Sequence, residues 1–539
     1  MLVRNFTFKV SSQLLAAIMA FVSLLVMTRY VADQYGLMIW ALALVTLVNT
    51  VADLGFNTAN LKFISRDDHD RSACFSTYMI IKLALTAVMI ICTVVTVYSM
   101  RMTGAITDEA VHVCLVFVVY QIISNIQFAI YYTLDGMGLS GKSSILTIVE
   151  CGIRNAILIG MALYEVDAAM LANAYVIATI ISLVLSFYMA RQVGLRPVKP
   201  KYLREYAIFA LPLAAALILT AVVTNLDKVI VGLFYESIEV TYYSTAVGLI
   251  ATFTAVGVSL NNVLLPHLSS KNIIRDRVTE RTLWGLEKGL SILLLPFVAF
   301  FLVFGPEIAE TLFGPGFGPS GEMTAILSIQ IIPFVIAGIM TQVLYAINRG
   351  LSYLRASTIM CIIAVGGFVF LIPNTTIPFS QGWGGIGAAI SVSAAYIIFC
   401  IILCWMVHRY TKIRLYPKLW RVFIAFVLSA VAIWGIGQVV NVSGFLWLAA
   451  VGFACEVVFI AILMAIKELK VSEIKTVLRM FIKDEDDRIA WAGRRGTASC
   501  ALLSRSCPRG SPPGGCTGIP GRLPSGPRAA ASCSRRRTR

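Results

Sequence analysis

Long apolar runs without a single charge constrain this chain more than any other feature. Leu14–Val26 and Phe423–Gly437 carry no Asp, Glu, Lys or Arg, and comparable stretches recur along most of the sequence. A membrane-crossing helix needs roughly 20 mainly apolar residues at about 1.5 Å of rise each. By that ruler the chain holds about fourteen such segments. Their centres fall near Met19, Val48, Val88, Val119, Ile157, Ile180, Ala215, Ile250, Leu294, Val335, Ala364, Ala395, Phe426 and Ala454. Composition agrees: 58% hydrophobic against 13% charged lies far from the roughly 45–50% and 25% of soluble domains. The expected fold class is an all-α polytopic membrane protein. The first apolar run leads straight into a spanning pattern, so no cleavable signal peptide is expected.

Charge placement orients the segments. One alternate set of connections holds Lys62, Arg66 and Arg71; Lys142; Arg191, Arg196, Lys199, Lys201 and Arg204; Lys271 to Lys288; Arg349 and Arg355; and Arg409 to Lys418. The intervening connections hold Arg29 and Arg101 and otherwise acids, such as Glu165 with Asp167, Glu236 with Glu239, and Glu307 with Glu310. Because cytoplasmic loops carry the excess Lys and Arg, both termini are expected in the cytoplasm, in a cell (inner or plasma) membrane, with an even number of spans.

The formal charge of +16 does not imply a nucleic-acid partner, because eleven positive charges sit from Arg488 onward in a tail without Asp or Glu, leaving +5 for the rest. Rich in Arg, Gly, Pro, Ser and Ala, residues 471–539 read as a tail, disordered and of non-native character after about Asp484. The cysteines lie mostly in apolar segments, where a thiol behaves as a small hydrophobe. Cys400 and Cys404 share a helix face, with His408 as the one nearby ligand type, so no metal and no cofactor is expected. Trp40, Trp383, Trp405, Trp420 and Trp447 fall near span ends, at headgroup level. Pro212, Pro266, Pro296 and Pro333 predict kinks or broken turns. Asn272–Lys288 reads as an amphipathic helix on the cytoplasmic face.

Thr28–Ser65 has a weaker echo about 205 positions later, pairing Asn57 with Asn262 and Ala41 with Ala246. The repeat divides the chain into an N-terminal lobe over 1–205, a second lobe over 206–410 and two additional helices over 411–470. The Arg-Tyr closing the first span, the turn DQYGLMIW, the exit ADLGFNTANLKFIS and the later LDKVIVGLF resemble the polysaccharide-transporter, or Wzx-type flippase, family of the multidrug/oligosaccharidyl-lipid/polysaccharide exporter superfamily. The resemblance runs from about Asn5 to Lys470. It implies two pseudo-repeated six-helix lobes around a central cavity that opens alternately to either side. It also implies a polyprenyl-linked oligosaccharide moved from the inner to the outer leaflet for cell-surface polysaccharide such as O-antigen, alongside glycan-assembly proteins.

Charges within spans are costly, so each needs a reason. Glu150 and Arg154 are four apart on one helix face and are expected to pair. Asn49, Asp53, Asn57 and Asn60 form a polar stripe at helical spacing, expected to face a cavity. Asp227 and Lys228 point about 100° apart, so one is expected to meet a neighbouring helix and the other the cavity with Asn225 and Asn262. Arg29, Lys82, Arg154 and Lys228 are candidates to replace hydration around a phosphate headgroup. Asp53, Glu150, Asp227 and Glu456 are candidates to couple transport to H+ or Na+. A membrane-embedded polymerase or glycosyltransferase would need a sizeable loop with catalytic groups, and none is evident. A multidrug exporter of the same superfamily would favour acidic, aromatic cavities. Truncation after Lys483 is expected to leave activity intact, as measured on a well-expressed shortened chain.

Overall fold

The computed structural model describes residues 2–65, 70–196, 198–269, 277–347, 349–374, 381–439 and 444–469, with side chains for all of these except 2–10, 212–213, 256–269, 277–278, 436, 439 and 445–446. The tail beyond 469 lies outside the described residues, as do Asn272–Asp276. Apolar sequence becomes helix because a helix satisfies its own backbone hydrogen bonds. The order is α1 Leu2–Tyr30, α2 Ala32–Asn49, α3 Phe56–Ile64, α4 Arg71–Met102, α5 Asp108–Gly136, α6 Ser140–Ala162, α7 Ala168–Gln192 and α8 Leu203–Phe234. It continues with α9 Ser237–Ser269, α10 Arg277–Phe313, α11 Gly318–Ser328, α12 Ile331–Ala346, α13 Gly350–Leu371, α14 Gly384–Thr411, α15 Leu419–Val439 and α16 Phe445–Ala465. No strand occurs among the described residues. The protein is an all-helical, multi-pass membrane protein.

All fourteen sequence-derived centres fall in different helices; α3 and α11 are the additions. The count itself differs. Among the described residues eleven helices are long and apolar enough to cross a membrane, or twelve if α11 and α12, bent by 41°, form one span. The apolar part of α15, Leu419–Gly435, is shorter.

Packing relations repeat. α1 lies on α6, α2 on α5, α4 on α5, and α7 on both α5 and α6. Correspondingly α8 lies on α13, α9 on α12, α10 on α11 and α12, and α14 on both α12 and α13. Between the two sets α2 packs on α9, flanked by α2 on α8 and α1 on α9. A Cβ on Gly36 would overlap the Ser237 carbonyl oxygen and lie 2.6 Å from Thr241 Oγ1. Thr241 follows Gly36 by 205 positions, the offset of the sequence echo. Equivalent residues therefore meet across α2 and α9, as a twofold relation about that contact requires. Ala41 and Ala246 are both fully buried.

Trp40 departs from the expected headgroup position. It is 3% exposed, and its Nε1 donates to the Val229 carbonyl at 3.1 Å. Gly232 provides the space, since a Cβ there would meet the indole. Trp383, Trp405, Trp420 and Trp447 are exposed.

The amphipathic stretch does not lie flat where it is described. From Arg277 it forms the start of α10, with Thr279, Leu283 and Glu287 buried. Its polar residues hold the α14–α15 loop: Glu280 Oε1 accepts from Arg414 N at 3.0 Å and Glu287 Oε2 from Tyr416 N at 2.8 Å. Trp284 Nε1 donates to the Arg414 carbonyl at 2.6 Å. Beyond α16, Glu468 accepts from the Tyr416 hydroxyl and pairs with Arg421 at 3.5 Å and Lys288 at 3.9 Å. α15 and α16 thereby attach to α10 through a polar clasp as well as apolar packing. Pro306 breaks α10 at Phe304, whose φ of −116° and ψ of 24° are non-helical. Pro333 begins α12 just after the bent break. Pro212 and Pro266 fall outside the described side chains.

Gly36→Ala is expected to lower the thermal melting temperature of the purified protein by several degrees, because the close α2–α9 approach must open. Gly141→Ala, where a Cβ meets nothing within 4 Å, should leave it unchanged or slightly raised.

Candidate functional site

The polar residues of the second apolar segment do not form one stripe. α2 ends at Asn49, a tight turn covers Thr50–Ala52, and Leu54 and Gly55 take φ of 40° and 82° before α3 begins. That left-handed step, which glycine adopts without steric cost, destroys the helical register between Asn49 and Asn60. Asp53 caps the new helix: its carbonyl accepts from Phe56 N at 2.8 Å and its Oδ1 from Asn57 N at 3.3 Å. The broken backbone is thus satisfied locally, and the acid faces the positive end of α3. Asn49 Oδ1 instead accepts from Asn125 Nδ2 at 2.8 Å.

Asn57 and Asn60 reach different neighbours. Asn57 Oδ1 accepts from the Tyr78 hydroxyl and, at 3.3 Å, from Lys82 Nζ. Asn60 donates to Thr133 Oγ1 at 2.9 Å and accepts from the Tyr206 hydroxyl at 3.0 Å. Tyr206 stacks on Phe63 at 4.8 Å, so the first turns of α8 pack onto α3. Lys82 is 2% exposed, and among the described residues no carboxylate lies within ion-pair distance.

Glu150 and Arg154 form the expected pair on α6, at 3.5 Å. Gln127 Nε2 bridges Glu150 Oε2 at 2.7 Å and Ser182 Oγ at 2.9 Å. The Arg154 guanidinium lies 4.9 Å from the Tyr175 ring centre. Both charges of this pair are balanced within the α5–α6–α7 contact.

A third group lies between α8, α9, α12 and α14. Asp227, 3% exposed, accepts from Tyr243 OH at 2.8 Å and from Lys228 N at 2.8 Å. Lys228 Nζ curls back to the Thr224 carbonyl at 2.9 Å and reaches Asp227 Oδ1 at 3.5 Å. Adjacent residues therefore do pair, because the four-carbon lysine stem spans the angle that their Cα–Cβ directions impose. Both line a cavity of about 230 Å³ with Tyr243, Gln330, Phe334 and Tyr396. Asn225 does not join it: its amide bonds the Ala221 carbonyl and Thr224 Oγ1, both at 3.1 Å, on its own helix. Asn262 lies outside the described side chains.

Arg29 and Glu456 stand apart from these groups. Arg29 donates to the carbonyls of Thr311, at 3.0 Å, and Leu312, at 3.0 and 3.2 Å, capping the C-terminal end of α10. It borders a second cavity of about 480 Å³ with Tyr30 and Glu310. Glu456 is half-buried on α16 and makes no ion pair among the described residues. Cys400 and Cys404 sulfurs are 4.0 Å apart, while His408 Nδ1 lies against the Ile413 carbonyl at 3.1 Å instead of joining them. The sequence reading missed Tyr78, Gln127, Tyr206, Tyr243 and Gln330. The two glutamines had a signal, an amide within an apolar segment; the tyrosines had none.

Residues 26–322 match the family model described as polysaccharide biosynthesis protein, over more than half of the chain. The chain belongs to that family. Its fold is similar to that of solved structures at low sequence identity. "Lipid II flippase MurJ, inward closed conformation" superposes with a TM-score of 0.66 at 13% identity, covering 85% of this chain and 99% of that one. The inward-facing conformation of a multidrug resistance MATE family transporter of the MOP superfamily superposes with a TM-score of 0.50 at 14% identity, covering 75% and 95%. Its outward-facing counterpart has the same score and identity, covering 76% and 96%. No curated protein matches this family member by sequence.

Removing one partner of a buried charge pair leaves the other uncompensated. Asp227→Ala is therefore expected to destabilise this family member by about 3 kcal/mol, with Asp227→Asn intermediate, as read from thermal melting in detergent. Unchanged melting in both variants would contradict the pairing.

Proposed function

We propose that this protein is a flippase, moving a polyprenyl-(pyro)phosphate-linked oligosaccharide from the cytoplasmic to the outer leaflet by alternating access. The family supports a place in polysaccharide assembly, and the fold is shared with the lipid II flippase MurJ. The observation that carries the reading is Lys82. An ammonium at a membrane helix centre costs roughly 2.5–3.5 kcal/mol on insertion scales. Arg154 and Lys228 are each offset by a carboxylate, and Arg29 by helix-end carbonyls. Among the described residues Lys82 donates to an amide oxygen alone, with Asp53 near but not in ion-pair contact. A buried cation whose nearest acid, Asp53, lies beyond ion-pair distance and is turned to the start of α3 is suited to an anion that arrives as cargo, and a phosphate supplies both charge and acceptor oxygens. The bent α2–α3 connection beside it places irregular backbone where a polar cavity would open.

In this reading α1–α7 and α8–α14 are two lobes that rock about the α2–α9 contact, and α15–α16 follow α10. On the same reading both termini face the cytoplasm, which the bias of Lys and Arg among the loops supports. The protein carries out translocation and no covalent step. Uptake of H+ or Na+ at Asp53, Glu150, Asp227 or Glu456 supplies the driving force. Of these, Asp227 is the most enclosed by donors, whereas Asp53 already serves α3.

Reconstituted protein with labelled lipid-linked oligosaccharide tests the proposal. Lys82→Gln is expected to slow translocation about tenfold or more, the loss of one charge-assisted contact, while Lys82→Arg retains most activity. Wild-type rates in Lys82→Gln would refute the role assigned to this residue.

A further inference from the structure

Gln330 occupies the N-cap of α12, at the break where α11 and α12 bend by 41°. It is 9% exposed, and its Oε1 accepts no hydrogen bond among the described residues. Gln330 is among the residues lining the cavity of about 230 Å³ between α8, α9, α12 and α14, its Oε1 set just beneath the cavity surface. A buried acceptor without a donor is unfavourable, so such an atom marks a place where a donor is brought from outside. The two donors nearest Asp227 are already committed. Tyr243 OH serves Asp227, and Lys228 Nζ serves the Thr224 carbonyl and Asp227. The charges in the cavity wall cancel as one Asp–Lys pair. The wall is thereby left without net charge, so it offers a phosphate no counter-charge. The walls are otherwise apolar and aromatic, with Phe334 and Tyr396 in edge contact at 5.3 Å. A neutral, ring-shaped group bearing N–H or O–H donors has the matching chemistry: an aromatic side for its C–H face and a carbonyl for its donor.

We infer that Gln330 is a specificity residue of a saccharide subsite, accepting a hydrogen bond from a hydroxyl or acetamido N–H of the cargo's sugar. The inference rests on the flippase reading above and deepens it by dividing the cargo. The phosphate belongs with Lys82 in the N-terminal set of helices, and a sugar belongs in the cavity beside α12. The subsite distinguishes sugars by whether they present a donor towards the α11–α12 break, and a site built around a buried acceptor discriminates against ligands that cannot satisfy it.

Binding of two probes to the full-length protein in detergent or nanodiscs tests this directly. One probe is bare polyprenyl diphosphate, and the other is the same lipid carrying a single N-acetylhexosamine. Wild type is expected to bind the sugar-bearing probe more tightly. Gln330→Met, which keeps length and removes the acceptor, should weaken the sugar-bearing probe about five- to tenfold and leave bare diphosphate unchanged. Lys82→Gln should weaken both. Val392→Phe, which fills the same cavity from α14, should reproduce the Gln330→Met pattern and serves if that variant fails to fold. Equal effects on both probes, or no effect on either in both cavity variants, overturns the saccharide subsite while leaving the flippase reading standing. Failure of wild type to bind either probe overturns the flippase reading, and the subsite with it.

Discussion

In a hydrocarbon medium a polar group cannot fall back on water, so every N–H, C=O and charge must be answered from within the protein. That constraint accounts for the helices and for the manner in which they break. Where α2 gives way to α3, Asp53 takes the freed N–H groups of the new helix and Gly55 supplies the left-handed turn. Where α10 breaks at Phe304, Gly305 and Gly321 allow α10 and α11 to touch through their backbones, since a Cβ on Gly321 would meet the Gly305 carbonyl group.

The same constraint sorts the intramembrane charges. Glu150 with Arg154 and Asp227 with Lys228 each close their own account within a helix or two, and their neighbours Gln127 and Tyr243 complete the hydrogen bonding. Lys82 and the Gln330 carbonyl are among the groups whose needs are incompletely met by the described residues, one a donor with charge and the other a neutral acceptor. They lie in different sets of helices, Lys82 on α4 beside the α2–α3 break and Gln330 at the α11–α12 break. A transporter that must first hold and then release its cargo has reason to leave such groups incompletely satisfied, because a fully satisfied site has nothing to exchange with a ligand.

The contact between α2 and α9 gives this arrangement its geometry. Gly36 against Thr241 and Trp40 against Gly232 bring the two sets of helices together through small residues, the means by which membrane helices gain close packing without a hydrophobic driving force between them. The α15–α16 pair is held differently, by a clasp of Glu280, Glu287 and Glu468 around the loop bearing Arg414 and Tyr416. A clasp of charged and backbone groups at the end of α10 fixes the added helices to that helix and not to α2 or α9, so motion at the α2–α9 contact does not require it to open.

Apolar runs and loop charges suffice to read the helical class, the location of nearly every helix and the internal echo, because the length of a span and the cost of burying charge are properties of the local chain. The Glu150–Arg154 pair was legible for the same reason, since both residues lie on one helix. The rest depends on contacts between distant segments. Helical spacing suggested one stripe from Asn49 to Asn60, but the turn at Leu54–Gly55 sends those residues to Asn125, Tyr78 and Tyr206 on three other helices. Trp40 looked interfacial until α8 was placed against it, and residues 277–288 looked like a surface helix until they proved to begin α10. The local sequence decided which segments enter the membrane; which polar groups found partners there, and which did not, was decided only by tertiary packing, because a hydrogen bond between helices depends on where both helices lie.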